Sequence, residues 1–192
     1  MDETRSTLLI RIRNRDDASA WQEFIGIYEP LIERYARKRG LSREDAEDVR
    51  GQTMEAVVRQ IGEFQYDKAK GGFRNWLRRI ACNKIVDMRR KRRREVPADS
   101  TVFRMTPDRG PTPEEEWDLE WAKHHLNYCV EQVKREVSER NYRAFRMLVY
   151  EEKDVGEVCE ALGINANQAY KAKSRVLERV REKMAELGVD EE

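Results

Sequence analysis

Residues 73–94 read FRNWLRRIACNKIVDMRRKRRR. Phe73, Trp76, Leu77, Ile80, Ala81, Lys84, Ile85 and Met88 recur at steps of three and four, the spacing of one apolar stripe along a helix. The other side carries Arg74, Arg78, Arg79 and Lys84, and the segment runs out through Arg89, Arg90, Lys91, Arg92, Arg93 and Arg94 with only Asp87 opposing them. A helix this basic seeks phosphate, because each cation that neutralises one releases a condensed counterion. Cations also suit a helix C-terminus through its dipole, but that effect fades within about one turn and this run is longer.

The whole chain hides this polarity. With 38 Lys and Arg against 37 Asp and Glu its formal net charge is +1, so charge is sorted into blocks of opposite sign along a nearly neutral polypeptide. A length of 192 residues, 39% hydrophobic and 39% charged, fits small helical units with thin cores. Cys82, Cys129 and Cys159 form no C-x-x-C pair and each sits in a helical pattern as a small buried residue would, which implies a reducing cytoplasm. The opening MDETRSTLLIRIRNR is too short and too charged for a signal or membrane segment, so a soluble intracellular protein is expected.

Outward from the basic helix, its N-terminal side is all helical pattern. Thr4 to Arg13 reads as a short helix; Asp16 or Asp17 caps a second, with Trp21, Phe24, Ile25, Tyr28, Leu31, Ile32 and Tyr35 on one face. Pro30 lies inside that pattern, which predicts a bend or a helix split in two, and Gly40 stops it. Ser42, with Asp45 three residues on, opens a helix that turns Ala46, Val49, Thr53, Val57 and Ile61 inward, Met54 and Val58 alongside. Asp45, Glu47 and Asp48 suit the positive end of that helix's dipole or serve a partner. Gly51 in mid-helix marks either a close approach or a weakened helix. The loop GEFQYDKAKGG at 62–72 places Phe64 and Tyr66 next to the basic helix, where exposed rings would stack on unpaired bases and tucked rings would join the core.

On the other side the character inverts. EVPADSTVFRMTPDRGPTPEEE at 95–116 holds every proline but Pro30, has no hydrophobic period and ends acidic, so it reads as a linker. Its acidic end repels nucleic acid, imitates it in a basic channel or is simply solvated as part of a flexible tether. Domains are therefore expected at 1–94 and 117–192. In the second, Trp117, Trp121, Leu126, Tyr128, Val130, Val133 and Val137 suggest one helix, and Tyr142, Phe145, Met147, Leu148 and Val149 another with Asn141 as its N-cap. His124 and His125, adjacent and without a Cys or carboxylate pattern around them, read as surface histidines; no metal or cofactor is expected.

DVGEVCEALGINANQAYKAKSRVLERVREKM at 154–184 is the most specific local pattern. Asp154 caps a helix bearing Val155, Val158, Cys159 and Leu162; Gly163 turns the chain, Ile164 plugs the corner and Asn165 caps the next helix. This predicts a helix-turn-helix whose second helix keeps Ala169, Ala172, Val176 and Val180 inward and projects Gln168, Lys171, Arg175 and Arg179. Arg175 suits a guanine edge and Lys171 a base or a phosphate. A bare helical hairpin at a protein interface would show less of this.

Two basic readers joined by an acidic, proline-containing tether resemble the extracytoplasmic-function, or group four, sigma factors of bacterial RNA polymerase, over nearly the whole chain. DAEDVRGQTM (45–54) resembles region 2.2, residues 73–94 resemble regions 2.3 and 2.4, and the helix-turn-helix resembles region 4.2. The resemblance implies an all-α protein of two small helical domains that directs core RNA polymerase to promoters. Its implied partners are promoter DNA and the polymerase, through the beta-prime clamp helices and beta flap, with room for an anti-sigma protein and no membrane insertion.

The same resemblance implies residue roles. In the pattern W-L-x-x-I-A-x-N, here Trp76, Leu77, Ile80, Ala81 and Asn83, the asparagine and the preceding loop hold a base flipped from the minus-ten element. Phe64, Tyr66, Trp76, Arg79, Asn83, Lys84, Asp87 and Arg90 would form that site. Gln168, Tyr170, Lys171, Ser174, Arg175 and Arg179 would read the minus-thirty-five duplex, and Asp45, Glu47, Asp48 and Gln52 would dock on the polymerase. The rival reading is a polymerase-independent helix-turn-helix regulator, which needs a dimer matched to two half-sites; no dimerisation element is evident. An enzyme is disfavoured, since no carboxylate cluster, nucleophile with a base or phosphate-cradling glycine loop occurs.

Overall fold

The computed structural model describes residues 8–65, 72–95 and 111–187, and every regular element among them is helical. Residues 8–11 are helical, and after them come α1 (Ala18–Lys38), α2 (Arg43–Gln60), α3 (Gly72–Glu95), α4 (Pro113–Glu136), α5 (Glu139–Val149), α6 (Val155–Leu162) and α7 (Ala166–Glu186). The chain is thus all-α, and it divides into two compact units whose boundary falls between Ala122 and Lys123, inside α4. Most of the expected linker lies outside the described residues; its last residues, 113–116, are the first turn of α4.

In the first unit α1 packs on α2 and α2 on α3. Asp17 caps α1, its side chain accepting from Ala20 N, and a bidentate pair from Arg11 to the same carboxylate ties the preceding turn to the helix start. α1 is one helix through Pro30, not two. The backbone bond that proline deletes lies on the solvent side, where both Gly26 and Pro30 are exposed, while Ile27, Tyr28, Leu31 and Ile32 are buried on either side. Packing on four large side chains outweighs the lost bond. Ser42 caps α2, and Ala46, Val49, Thr53, Met54 and Val57 are buried as their spacing predicts. Thr53 satisfies its buried hydroxyl by donating to the Val49 carbonyl at 2.7 Å.

The centre of this unit is aromatic. Phe73 packs edge-on against Phe24, Tyr28 and Phe64, with ring centroids 5.9, 5.2 and 5.9 Å away. Trp117 and Trp121, expected to open the second domain, belong here: Trp117 meets Tyr35 edge-on at 4.9 Å and Trp121 lies 5.7 Å from Tyr28. Ring pairs of this kind add about 0.5–1.5 kcal/mol each beyond the area they bury. Burial also pushes the Tyr35 phenol well above its ordinary range, the Cys82 thiol at 3.5 Å adding to the shift. Of the three cysteines only Cys129 is fully buried, and all are free thiols.

In the second unit α5 packs on α7, and α6 bridges both. One cluster joins Cys129, Val130 and Val133 of α4 to Phe145, Val176 and Val180; another joins Ala144 and Met147 to Val158, Ala169 and Ala172. Ser138 rather than Asn141 caps α5, accepting from Asn141 N. Leu126, expected to face inward, is 44% exposed, whereas His124 and His125, expected at the surface, are buried. The reason is periodic: Trp117, Trp121 and then His124 and His125 follow one another at three- and four-residue steps, so the histidines continue the apolar stripe and Leu126 falls off it.

Candidate nucleic-acid interfaces

Along α3 the cations sort onto two faces. Arg79, Asn83, Val86, Asp87 and Arg90 recur at three- and four-residue steps and are all exposed, forming one open strip. Asn83 lies mid-strip, its amide offering two donors and an acceptor. Trp76 and Lys84 flank the strip half-buried, and the Trp76 ring leans on Phe64 at 4.9 Å and Phe73 at 5.5 Å. Of the two loop aromatics beside the basic helix, Phe64 is tucked into the core at 9% exposure, its carbonyl held by Arg13 at 2.7 Å. Tyr66 lies outside the described residues.

The opposite flank of α3 is occupied. Arg74 pairs with Asp118 at 3.3 Å and Arg78 with Glu114 at 3.0 Å. From the end of α1, Lys38 reaches Glu120 at 3.0 Å and Arg39 reaches Glu116 at 2.7 Å. The acidic start of α4 is therefore not a loose tether; four of its carboxylates lie on four cations, Glu114 and Asp118 still open to solvent, while Trp117 and Trp121 between them fill the aromatic centre. Arg89 donates to the Arg39 carbonyl, and burial, with the charges of Arg39 and Arg93, lowers its pKa. Arg74 and Arg78 are thus structural cations, a division that periodicity in α3 alone does not reveal.

The residues expected to dock on a polymerase are split likewise. Asp45 is 7% exposed, and both Nε and Nη2 of Arg92 donate to its Oδ1 at 2.8 and 2.6 Å. That hydrogen bonding holds its carboxyl below the usual carboxylate range. Glu47 is taken by Arg43 one turn away at 2.9 Å, Asp48 is exposed, and Gln52 is half-buried. Gly51 is exposed, with nothing within 4 Å of a Cβ built on it, so none of the described residues requires a glycine there.

In the second unit the helix-turn-helix is built as its local chemistry dictates. Asp154 and Asn165 both make reciprocal capping boxes, with Glu157 and Gln168, and Gly163 takes φ +61°, the left-handed conformation that suits glycine. Ala169, Ala172, Val176 and Val180 of α7 are buried; Gln168, Tyr170, Lys171, Ser174 and Arg175 are exposed. Gln168 spends its carbonyl oxygen on the Asn165 N–H and keeps its amide donors. Arg179 differs from its neighbours one and two turns earlier: it bonds Glu136 and Glu182, each at 2.7 Å, and both carboxylates raise its pKa. It ties α7 to α4 rather than pointing outward unpaired.

Among the described residues no group of three His, Cys, Asp or Glu side chains could hold a metal ion, and no helix is long and apolar enough to cross a membrane.

One comparison with known proteins falls within the first unit. Residues 24–95, from the middle of α1 to the end of α3, match Sigma-70 region 2. The chain is also similar to the ECF RNA polymerase sigma factor SigE of Mycolicibacterium smegmatis, at 30% identity over 97 residues, 50% of this chain. That match spans only 36% of the relative's own length. From within α1 to the end of α3, the helix that carries the basic strip, the chain is thus similar to Sigma-70 region 2, and over half its length it is similar to an ECF RNA polymerase sigma factor.

Proposed function

We propose that this chain is a transcription-initiation factor that binds core RNA polymerase, reads duplex upstream DNA with α7 and captures unpaired promoter bases on α3. The observation that carries the reading is the exposed strip Arg79, Asn83, Asp87 and Arg90 within the segment matched to Sigma-70 region 2. Asn83 offers an edge able to hydrogen-bond an extruded base, while Arg79 and Arg90 suit flanking phosphates. On α7, Lys171 and Arg175 suit base edges and phosphates, with Gln168, Tyr170 and Ser174 beside them. Extruding a base costs a few kcal/mol, more than one exposed strip supplies. Core polymerase provides the remaining surface, so the free protein binds DNA weakly and without selectivity.

The test is transcription by core enzyme on fragments of the source genome, with transcript starts mapped with and without the protein. Defined new starts should depend on the protein, and Asn83→Ala and Arg175→Ala should each reduce open-complex formation at least tenfold. Starts independent of the protein would refute the reading, as would unimpaired variants. Tight, selective binding of one duplex by the purified protein alone would favour a polymerase-independent regulator.

A further inference from the structure

The residues before α1 form a clasp on the first unit. Leu8, Leu9 and Ile12 are buried, so the turn that carries them is seated in the core. Two arginines project from this turn and are spent differently. Arg11 pairs with both carboxylate oxygens of Asp17 and so holds the N-cap of α1. Arg13 forms no ion pair with any described residue; its side chain reaches across 51 residues of sequence to donate from Nη2 to the Phe64 carbonyl at 2.7 Å.

That bond needs a cause. Arg13 is exposed, so it adds no core packing, and ordering so long a side chain costs rotamer entropy. What it fixes is the backbone just past α2, where the N–H groups of Glu63 and Phe64 bond back to the carbonyls of Gln60 and Ile61. The Phe64 ring packs between Phe73 and Trp76, its centroid 4.9 Å from that of Trp76 at an interplanar angle of 45°. Trp76 is half-buried and stands one helical turn before Arg79 and two before Asn83, so it heads the open strip of α3. Helical side chains lean toward the N-terminus, which tilts Arg79 and Asn83 back toward that ring. Arg13 therefore fixes Phe64, and Phe64 fixes the surface against which Trp76 rests.

We propose that Arg13 is a positioning residue for base capture, clamping the Phe64 carbonyl so that the paired rings of Phe64 and Trp76 stand ready at the head of the strip. This rests on the reading of α3 as the surface that captures unpaired promoter bases. Arg13 itself touches no base. It lowers the cost of ordering a surface that an extruded base must find already formed.

The test reconstitutes the full-length protein with core polymerase on the strongest protein-dependent promoter found in the mapping above. A fluorescent adenine analogue is placed in turn at each non-template position of the minus-ten element, and its signal rises when the base leaves the stack. Arg13→Ala should slow that rise about tenfold, the scale of one hydrogen bond to a charged group. Arg13→Lys, which can still donate to the carbonyl, should recover most of the rate. Arg11→Ala removes the same charge from the same turn and should stay within roughly twofold of wild type, since Arg11 does not reach Phe64. In an Asn83→Ala background, Arg13→Ala should cost less than about twofold more, because the two residues serve one step. A wild-type rate in Arg13→Ala, equal slowing by Arg11→Ala, or a fully additive loss with Asn83→Ala would each overturn the role of Arg13 while leaving base capture standing. If wild-type protein gives no rise at any position, or no start depends on it, base capture by α3 fails and the role of Arg13 falls with it.

Discussion

Arg92, in the last turn of α3, donates through both Nε and Nη2 to Oδ1 of Asp45 in the first turn of α2, at 2.8 and 2.6 Å. One cation of the basic run thus locks the end of α3 to the start of α2. The carboxylate is buried while the guanidinium is about half exposed. Asp45 is therefore a brace, and any partner docking here meets Asp48 and Gln52 first.

Replacing Asp45 by Asn should destabilise the first unit by about 1.5 kcal/mol, the low end for a hydrogen bond to a charged group because Arg92 is solvent-screened. The pH dependence follows from the direction of the shift. A carboxyl held below its unfolded pKa contributes stability above that pKa, near 4, and loses it as pH falls through the lower folded value. Urea titrations at pH 7 and pH 3 should show the wild-type advantage over Asp45→Asn shrinking at pH 3. An advantage independent of pH would show that the pair is not what Asp45 contributes.

Trp117 should matter to the first unit. Its side chain is fully buried against Tyr35 and Trp121, so Trp117→Ala should cost about 3–5 kcal/mol, read as a lower urea midpoint for α1 to α3 by hydrogen exchange. A change confined to amides of α5 to α7 would assign the residue to the other unit.

Phe64 should behave as core. At 9% exposure between Phe73 and Trp76, its replacement by Ala should cost roughly 3 kcal/mol, whereas a free stacking ring would cost less than about 0.5 kcal/mol in stability. Thermal denaturation of the purified variant distinguishes the two.

Gly51→Ala should stabilise α2 by about 1 kcal/mol, since a methyl group there meets none of the described residues and alanine has the higher helix propensity. Chemical denaturation checks the gain. A stabilised variant with weakened core-polymerase binding would show that the open side of Gly51 is used by the partner.

How legible the molecule was from sequence depends on how far apart the interacting residues are. Helix starts at Ser42, Asp154 and Asn165, the turn at Gly163 and the inward faces of α2 and α7 were all readable, because capping and three-to-four spacing are properties of neighbours. Of the bend or split expected at Pro30 the split does not occur, because buried side chains whose partners lie elsewhere offset the local penalty, and the burial of the histidines follows from their place on the apolar stripe rather than from their polarity.

The amino-acid order by itself determined an all-helical chain with a basic helix at its middle and a helix-turn-helix near its end, since periodicity and caps act within a few residues. Only the tertiary structure decided which of many similar cations are free. Arg179 is matched by Glu136 at 43 residues' separation, Arg92 by Asp45 at 47 and Lys38 by Glu120 at 82, and pairs so distant in sequence exist only once packing has brought their helices together.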